Sequence, residues 1–173
     1  VIIKEAESLA KRITDNTFAD KVFFANSGAE SIEGAIKIVR RYFHTIGKPE
    51  KNKILSMSGA FHGRTIAALF LANNKSHTEG FGPSPEGFGQ VPFGDHEALK
   101  KAINKNTAAI ICEPIQGEGG VKVVPDYCLK GLRKICDEHG ILLISDSIQV
   151  SFRTGTLLGF ENSGISPDLC CVA

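Results

Sequence analysis

The chain has 173 residues, of which 42% are hydrophobic and 23% charged, the balance of an ordinary globular protein with one sizeable core. Its 20 Lys and Arg residues against 19 Asp and Glu residues give a net charge of +1, which excludes both the basic field of a nucleic-acid-binding protein and the acidic excess of a disordered one. No stretch approaches the roughly 20 apolar residues of a membrane span.

The five cysteines contain no C-x-x-C pair, and an odd number argues against a closed set of disulfides. Cys112, Cys170 and Cys171 lie within apolar runs, where a free cysteine behaves as a small buried hydrophobic residue. We therefore predict free thiols. Free thiols imply a reducing compartment, so we expect a cytoplasmic protein.

Helices and short strands alternate along the chain. Apolar residues at helical spacing predict a helix over residues 4–13, and the apolar run 22–25 predicts a strand that leads into a second helix after Ser27. Farther along we predict, in order, a strand at 53–57, a long loop at 73–94, a helix at 95–104, a strand at 108–112, a helix at 126–139 and strands at 141–145 and 169–173. This alternation indicates one α/β domain with a mostly parallel sheet covered by helices on both faces.

Ligands of such sheets bind beyond the carboxyl ends of the strands, so polar residues that directly follow a strand are candidate site residues. Ser27 and Glu30, after the first predicted strand, have the spacing of a capping box at the start of a helix. The same helix start offers the amides of Gly28 and Ala29 to a phosphate. The two interpretations are compatible.

Phe61 and Arg64 follow the second strand in a glycine-containing segment. An aromatic ring beside glycines can stack on a flat heterocycle, and the planar arginine fork suits a carboxylate. The alternative is an ordinary turn with one buried phenylalanine and one solvated arginine.

Four histidines have no cysteine or carboxylate at metal-ligand spacing, and we predict that they lie on the surface: His44, His77, His96 and His139.

Two further strands end at carboxylates. A glycine-rich connection carries Glu113 and Glu118, but it lacks the Gly-Lys-Ser/Thr of a P-loop. Either carboxylate taken alone is more often solvated than functional. Asp146 ends the next apolar strand, with Gln149 three residues later. Asp146 either caps the following turn or pairs with a cationic ligand, because isolated burial of a carboxylate is costly.

Four motifs together resemble one family. In chain order they are Phe24-Ala25-Asn26-Ser27-Gly28-Ala29-Glu30, Phe61-His62-Gly63-Arg64-Thr65, Glu113-Pro114-Ile115-Gln116-Gly117-Glu118-Gly119-Gly120, and Asp146 with Gln149. Each is moderately specific by itself, but their order over nearly the whole chain resembles the acetylornithine and ornithine aminotransferases, relatives of the 4-aminobutyrate enzymes that depend on pyridoxal 5′-phosphate (PLP). The resemblance implies that residues 1–173 are part of the large domain of a fold type I PLP-dependent transferase.

The resemblance also implies where the cofactor binds. The segment of Ser27, with the amides of Gly28 and Ala29, would hold the phosphate of PLP. Phe61 would stack on the pyridine ring, and His62 would bind the cofactor beside it.

Other residues take their implied roles from the same motifs. Asp146 would pair with the ring nitrogen and keep it protonated, so that the ring can accept the electrons of a carbanion. Gln149 would contact the phenolic oxygen of the ring, and Glu113 would line the site as a catalytic residue. Arg64 would bind the α-carboxylate of the substrate, and Glu118 resembles a glutamate that pairs with an arginine of the C-terminal domain.

The implied reaction moves the terminal amino group of N-acetylornithine, or ornithine, to 2-oxoglutarate, in a homodimer that needs neither nucleic acid nor membrane. Another PLP chemistry on the same scaffold, such as that of an aminomutase or decarboxylase, is an alternative. A non-catalytic remnant or interaction fragment is a second. A nucleotide-binding domain is disfavoured, because no G-x-G-x-x-G follows a strand.

The sequence departs from the family pattern after Asp146. The family reads Asp-Glu-Val-Gln-x-Gly-x-Gly-Arg-Thr-Gly, whereas here the stretch is one residue shorter, with Ser147 in place of Glu and Ser151 in place of a glycine. We expect strain at Ser151 if that glycine has a positive φ. The family's Schiff-base lysine would directly follow Ala173. We therefore expect the N-terminal segment, the lysine region and the C-terminal small domain to lie outside this chain, which should be inactive alone.

Overall fold

Five short strands form one parallel sheet in the computed structural model, which describes residues 2–173. The strands are β1 (Lys53–Met57), β2 (Phe88–Val91), β3 (Thr107–Cys112), β6 (Leu142–Asp146) and β7 (Leu169–Cys171), and β4 (Ile115–Gln116) and β5 (Lys122–Val123) form a separate antiparallel pair. The helices are α1 (Lys4–Asn16), α2 (Gly28–Thr45), α3 (Ile66–Ala72), α4 (Lys75–Thr78), α5 (His96–Ala102) and α6 (Asp126–His139), with a 3-10 turn at Glu161–Ser163.

The sheet order is β2-β1-β3-β6-β7, and each neighbouring pair is parallel. The central strand β3 is buried along its whole length, because helices cover both faces of the sheet. One face packs against α2 and α3 in a cluster around Ile54 and Ile111, and the other packs against α5 and α6 in a cluster around Leu55 and Ile110. The predicted α/β architecture is confirmed.

Several predicted elements have the observed bounds. The strand at 53–57 and the helix at 126–139 coincide with β1 and α6, and β3 begins one residue before the predicted strand. No helix in residues 2–173 is both long enough and apolar enough to cross a bilayer.

The prediction of a strand at 22–25 is wrong. This segment forms no strand and pairs with none among the described residues, and Phe23 and Phe24 are 71% and 46% exposed. A continuous apolar run is typical of a buried strand, but a strand also needs a neighbouring strand that accepts its hydrogen bonds.

The prediction of one long loop at 73–94 is also wrong. The segment contains α4 and the edge strand β2, which pairs with β1 from Phe88 to Val91. Its glycines and prolines are typical of loops, and a four-residue edge strand is too short to show an alternating pattern. The short helix α3 was missed because its sequence is apolar on every side.

The five cysteines are free, as predicted. Four are buried, including Cys112 and Cys171, whereas Cys170 is only half-buried. Burial raises the pKa of the Cys112 thiol to about 12, with Glu113 and Asp146 adding to the shift. The thiol therefore stays protonated near neutral pH and behaves as a small apolar side chain.

Candidate functional site

A cleft with about 370 Å³ of empty space, open to solvent, lies at the carboxyl edge of the sheet. Its walls come from the start of α2, the turn after β1, the end of β3 and the end of β6. The lining residues are Gly28, Ala29, Phe61, His62, Gly63, Glu113, Ile115, Asp146, Ile148 and Gln149. The polar residues that follow three separate strands are thus brought together around one cleft.

The start of α2 forms one wall. Ser27 Oγ accepts a hydrogen bond from the Glu30 amide at 3.2 Å, as the predicted capping box requires. The Glu30 carboxylate also reaches back as predicted, but it accepts a hydrogen bond from the Asn26 amide, at 2.6 Å, rather than from the Ser27 amide. The amides of Gly28 and Ala29 donate no hydrogen bond to any residue in the part of the chain that the structure describes. This wall therefore presents two N–H groups at the positive end of a helix, which favours an anion.

A buried histidine–carboxylate pair forms the opposite wall. His62 Nδ1 lies 2.8 Å from Asp146 Oδ2, and the two side chains are 0% and 5% exposed. Because a carboxylate only accepts hydrogen bonds, Nδ1 carries the proton that is shared with Asp146. Asp146 Oδ1 accepts a second hydrogen bond, from the Ile148 amide at 3.2 Å. Two donors thus hold the carboxylate in a fixed orientation in the cleft.

The other ring nitrogen of His62 has no such partner. Nε2 is buried and makes no hydrogen bond in residues 2–173. A buried polar nitrogen of this kind needs a partner such as a bound ligand or a water molecule. No local sequence pattern is a physical reason to select His62, which the family motif alone indicates. Its position just beyond β1, on the sheet edge that also carries Asp146, is the signal that could have identified it.

Glu113 is the second buried carboxyl group of the cleft. Its Oε2 accepts a hydrogen bond from the Phe61 amide at 3.1 Å, and the residue is 4% exposed. Burial raises the pKa of Glu113 to about 7, an effect that His62 opposes and that Asp146 and Glu118 reinforce. Glu113 therefore changes charge close to neutral pH, unlike a solvated glutamate.

Phe61 is half-buried and presents its ring to the cleft. His77 packs edge-on against the ring at a centroid distance of 6.5 Å, and the Arg64 guanidinium stands 5.9 Å from its centre. Arg64 and Glu118 are exposed and do not line the cleft, whereas Gln149 is exposed and does line it.

Two of the four histidines predicted to lie on the surface are more buried than expected. His44 and His139 are exposed, but His77 and His96 are only partly exposed. His77 contacts Phe61, and the His96 ring packs so closely on Gly131 that a side chain there would overlap it. Long-range helix and loop packing determines both contacts, so the surrounding polar sequence did not reveal them.

The loop after Asp146 places its strain at a different residue from the one predicted. Ser151 is buried, and its hydroxyl donates to the Ser147 carbonyl oxygen at 2.7 Å. The positive φ of 61° falls on Phe152, which is 59% exposed. The prediction of a strained Ser151 is therefore wrong. The left-handed backbone of this loop lies one residue after Ser151, on an aromatic side chain that disfavours it.

We expect Phe152→Gly to increase the free energy of unfolding by about 1 kcal/mol, because glycine adopts a positive φ without steric strain. Urea denaturation of the purified chain measures the change. Phe81→Gly is the matched control: Phe81 is 57% exposed and has no positive φ, so its replacement should be neutral or destabilising. A loss of stability in Phe152→Gly equal to that of the control would contradict a strained Phe152.

Comparison with known proteins gives the family. The family model described as aminotransferase class-III matches residues 1–173. The acetylornithine aminotransferase of Agrobacterium fabrum (strain C58) is 54% identical over 168 residues, which cover 96% of this chain and 42% of that protein. The acetylornithine aminotransferase of Brucella melitensis biotype 1 is 51% identical over 172 residues, which cover 99% of this chain and 43% of that protein. The chain thus spans about two fifths of the length of these relatives.

Solved structures show the same fold. An amine transaminase from an uncultivated Pseudomonas species, in its PLP-bound form, superposes with a TM-score of 0.93 at 29% identity, over 100% of this chain and 45% of that one. Class-III aminotransferases depend on PLP. The match of the family model over the whole chain, with the same fold in a solved transaminase, shows that the chain belongs to the class-III aminotransferase family.

Proposed function

We propose that residues 1–173 are part of the PLP-binding large domain of an aminotransferase that moves the terminal amino group of N-acetylornithine, or ornithine, to 2-oxoglutarate. The observation that carries this proposal is the 54% identity to an acetylornithine aminotransferase over 96% of the chain. The aligned region contains the residues that line the cleft. Specificity for the acetylated amino acid belongs to the proposal, since relatives that are 29% identical include an amine transaminase.

The cleft has the chemical groups that PLP requires. The phosphate of PLP is an anion, and the unbonded amides of Gly28 and Ala29 offer it donors at a helix start. The flat pyridine ring fits beside the half-buried ring of Phe61. Asp146, a buried carboxylate in the same cleft, suits a protonated ring nitrogen, and Gln149 can donate to the phenolic oxygen.

When bound, PLP supplies a pyridinium ring that accepts electrons from the carbon that loses a proton. Asp146 holds the proton on the ring nitrogen by remaining an anion. His62 and the Ile148 amide keep the Asp146 carboxylate oriented toward the cleft, because both donate hydrogen bonds to it. His62 would thus support the cofactor through Asp146.

The substrate residues belong to the proposal as well. Arg64, an exposed cation directly after the Phe61–Gly63 wall, would bind the α-carboxylate of the amino-acid substrate. Glu118 is exposed on the glycine-rich connection after Glu113, where it can reach a cation from another part of the protein. A homodimer in the cytoplasm is the assembly and location that we propose for the protein that contains this chain.

Steady-state assays of the longer protein that contains this chain test the function. With 2-oxoglutarate as acceptor, we expect kcat/KM for N-acetylornithine to exceed that for 4-aminobutyrate by at least about tenfold, because one enzyme distinguishes substrates by differential transition-state binding. Equal or reversed preference would show that the chemistry belongs to another branch of the family. Absence of any amino transfer with PLP present would support the non-catalytic alternative.

A further inference from the structure

The turn after β1 is tied to the rest of the molecule by side chains. Residues 60–65 contain no helix or strand. Three side-chain hydrogen bonds connect residues 61–65 to distant segments: the Phe61 amide to Glu113, His62 to Asp146, and Thr65 to Glu33. The Phe61–Glu113 bond spans 52 residues of sequence and joins the ends of β1 and β3. The position of this turn therefore depends on a carboxylate of a neighbouring strand.

Glu113 holds the part of the turn that forms the cleft wall. The amide that it accepts belongs to Phe61, whose ring lines the cleft, and the next residue is His62, whose ring holds Asp146. A shift of the backbone at Phe61 would move both the ring surface and the histidine. Glu113 also lies within the electrostatic reach of His62 and Asp146, since both act on its pKa.

Burying the Glu113 carboxylate costs solvation free energy. The Glu113 carboxyl group is 4% exposed and has no cationic partner within ion-pair distance in residues 2–173. It therefore loses most of its hydration, and one amide hydrogen bond compensates only part of that loss. A glutamine would make the same hydrogen bond without the charge. The buried carboxyl group therefore indicates a role for its position, as the acceptor of the Phe61 amide, and a glutamine should largely preserve that role.

We propose that Glu113 is a positioning residue: its carboxylate anchors the Phe61 amide, and through the Phe61–His62 turn it fixes the Phe61 ring and the His62–Asp146 pair in the arrangement that receives the PLP ring. This role rests on the proposed function, because it takes PLP as the occupant of the cleft. It stands beside the catalytic role that the family resemblance implies for Glu113, which lines the cleft and also contacts the turn that forms the cleft wall.

The anchor can be tested without the cofactor. The amide proton of Phe61 should shift in NMR spectra of the ligand-free chain as pH passes through about 7, because protonation of Glu113 weakens the acceptor. The shift should disappear in Glu113→Gln. The Phe93 amide, which donates to the Ser58 hydroxyl at 3.0 Å, is the control, because its acceptor does not titrate in this range. A wild-type Phe61 amide without this transition would overturn the proposal, even if Glu113→Ala fails to fold.

PLP titration of the same chain tests the consequence for the cleft. Glu113→Ala should raise the Kd for PLP about tenfold or more, the loss expected for a hydrogen bond to a charged acceptor, and Glu113→Gln should restore affinity to within about fivefold of wild type. Glu97→Ala, which removes an exposed glutamate paired with Lys100, should have no effect. Wild-type affinity in Glu113→Ala would overturn the proposal. If the wild-type chain binds no PLP, the arrangement proposed to receive the PLP ring is contradicted, and the amide titration still decides whether Glu113 anchors the turn. The steady-state assays of the longer protein decide the proposed function separately.

Discussion

Asp146→Ala should lower turnover by several orders of magnitude in the longer aminotransferase that we propose contains this chain, while PLP binding remains detectable. In the proposed function Asp146 would hold the proton on the ring nitrogen, and that stabilisation is greatest in the transition state, where the ring accepts electrons. The proposed phosphate contacts at Gly28 and Ala29 do not involve Asp146, so binding should be affected far less than turnover.

Asp146→Asn separates the effect of the lost charge on turnover from the effect of the substitution on stability. Alanine leaves His62 Nδ1 without its partner, at a cost to stability of about 1–3 kcal/mol, whereas asparagine keeps one oxygen acceptor and replaces the other oxygen with an N–H donor. We therefore expect Asp146→Asn to be less destabilised than Asp146→Ala in thermal unfolding and still lose most of its turnover. Asp15→Ala, which removes an exposed partner of Lys11, is the control. Near-normal steady-state turnover in either Asp146 variant would refute the assignment.

The 173-residue chain assayed alone should not transfer amino groups. The chemistry needs a lysine amine at the cofactor, and no lysine is among the residues that line the cleft. Lys37, Lys75, Lys122 and Lys130 are exposed, and Lys53 at the start of β1 is half-buried. The pKa of Lys51 is lowered by partial burial and by Lys48, but its amine donates to the His139 and Gly140 carbonyl oxygens. His139 and Gly140 precede β6, and Lys51 precedes β1, so all three lie at the amino ends of the strands. Lys51 is therefore held at the sheet edge opposite the cleft.

Labelling with PLP and borohydride measures this directly. We expect sparse modification that peptide mapping finds spread over exposed lysines, with no amino transfer to 2-oxoglutarate. PLP binding through Gly28 and Ala29 should be weak but detectable, because amides at a helix start need no further domain. Stoichiometric labelling of one lysine, together with amino transfer, would show that the chain already contains the reactive amine.

Local sequence determined the elements that carry the cleft. The capping box of Ser27 and Glu30 was predictable because its hydrogen bonds join residues three and four positions apart. The strands β1, β3 and β6 followed from apolar runs, and the parallel topology then put the residues after them on one edge. The family motifs supplied the candidate roles, but no local pattern indicated which of these residues contact one another.

Tertiary structure alone decided those contacts. His62 and Asp146 are 84 residues apart in sequence, and their pairing depends on the path of the turn after β1 rather than on any local propensity. The raised pKa of Glu113 depends on burial by several segments at once. The apolar run at 22–25 and the edge strand β2 show the same limit, because backbone pairing requires a neighbouring strand, and that neighbour can lie far away in sequence. Sequence periodicity determines which elements form, whereas long-range packing determines which polar groups meet.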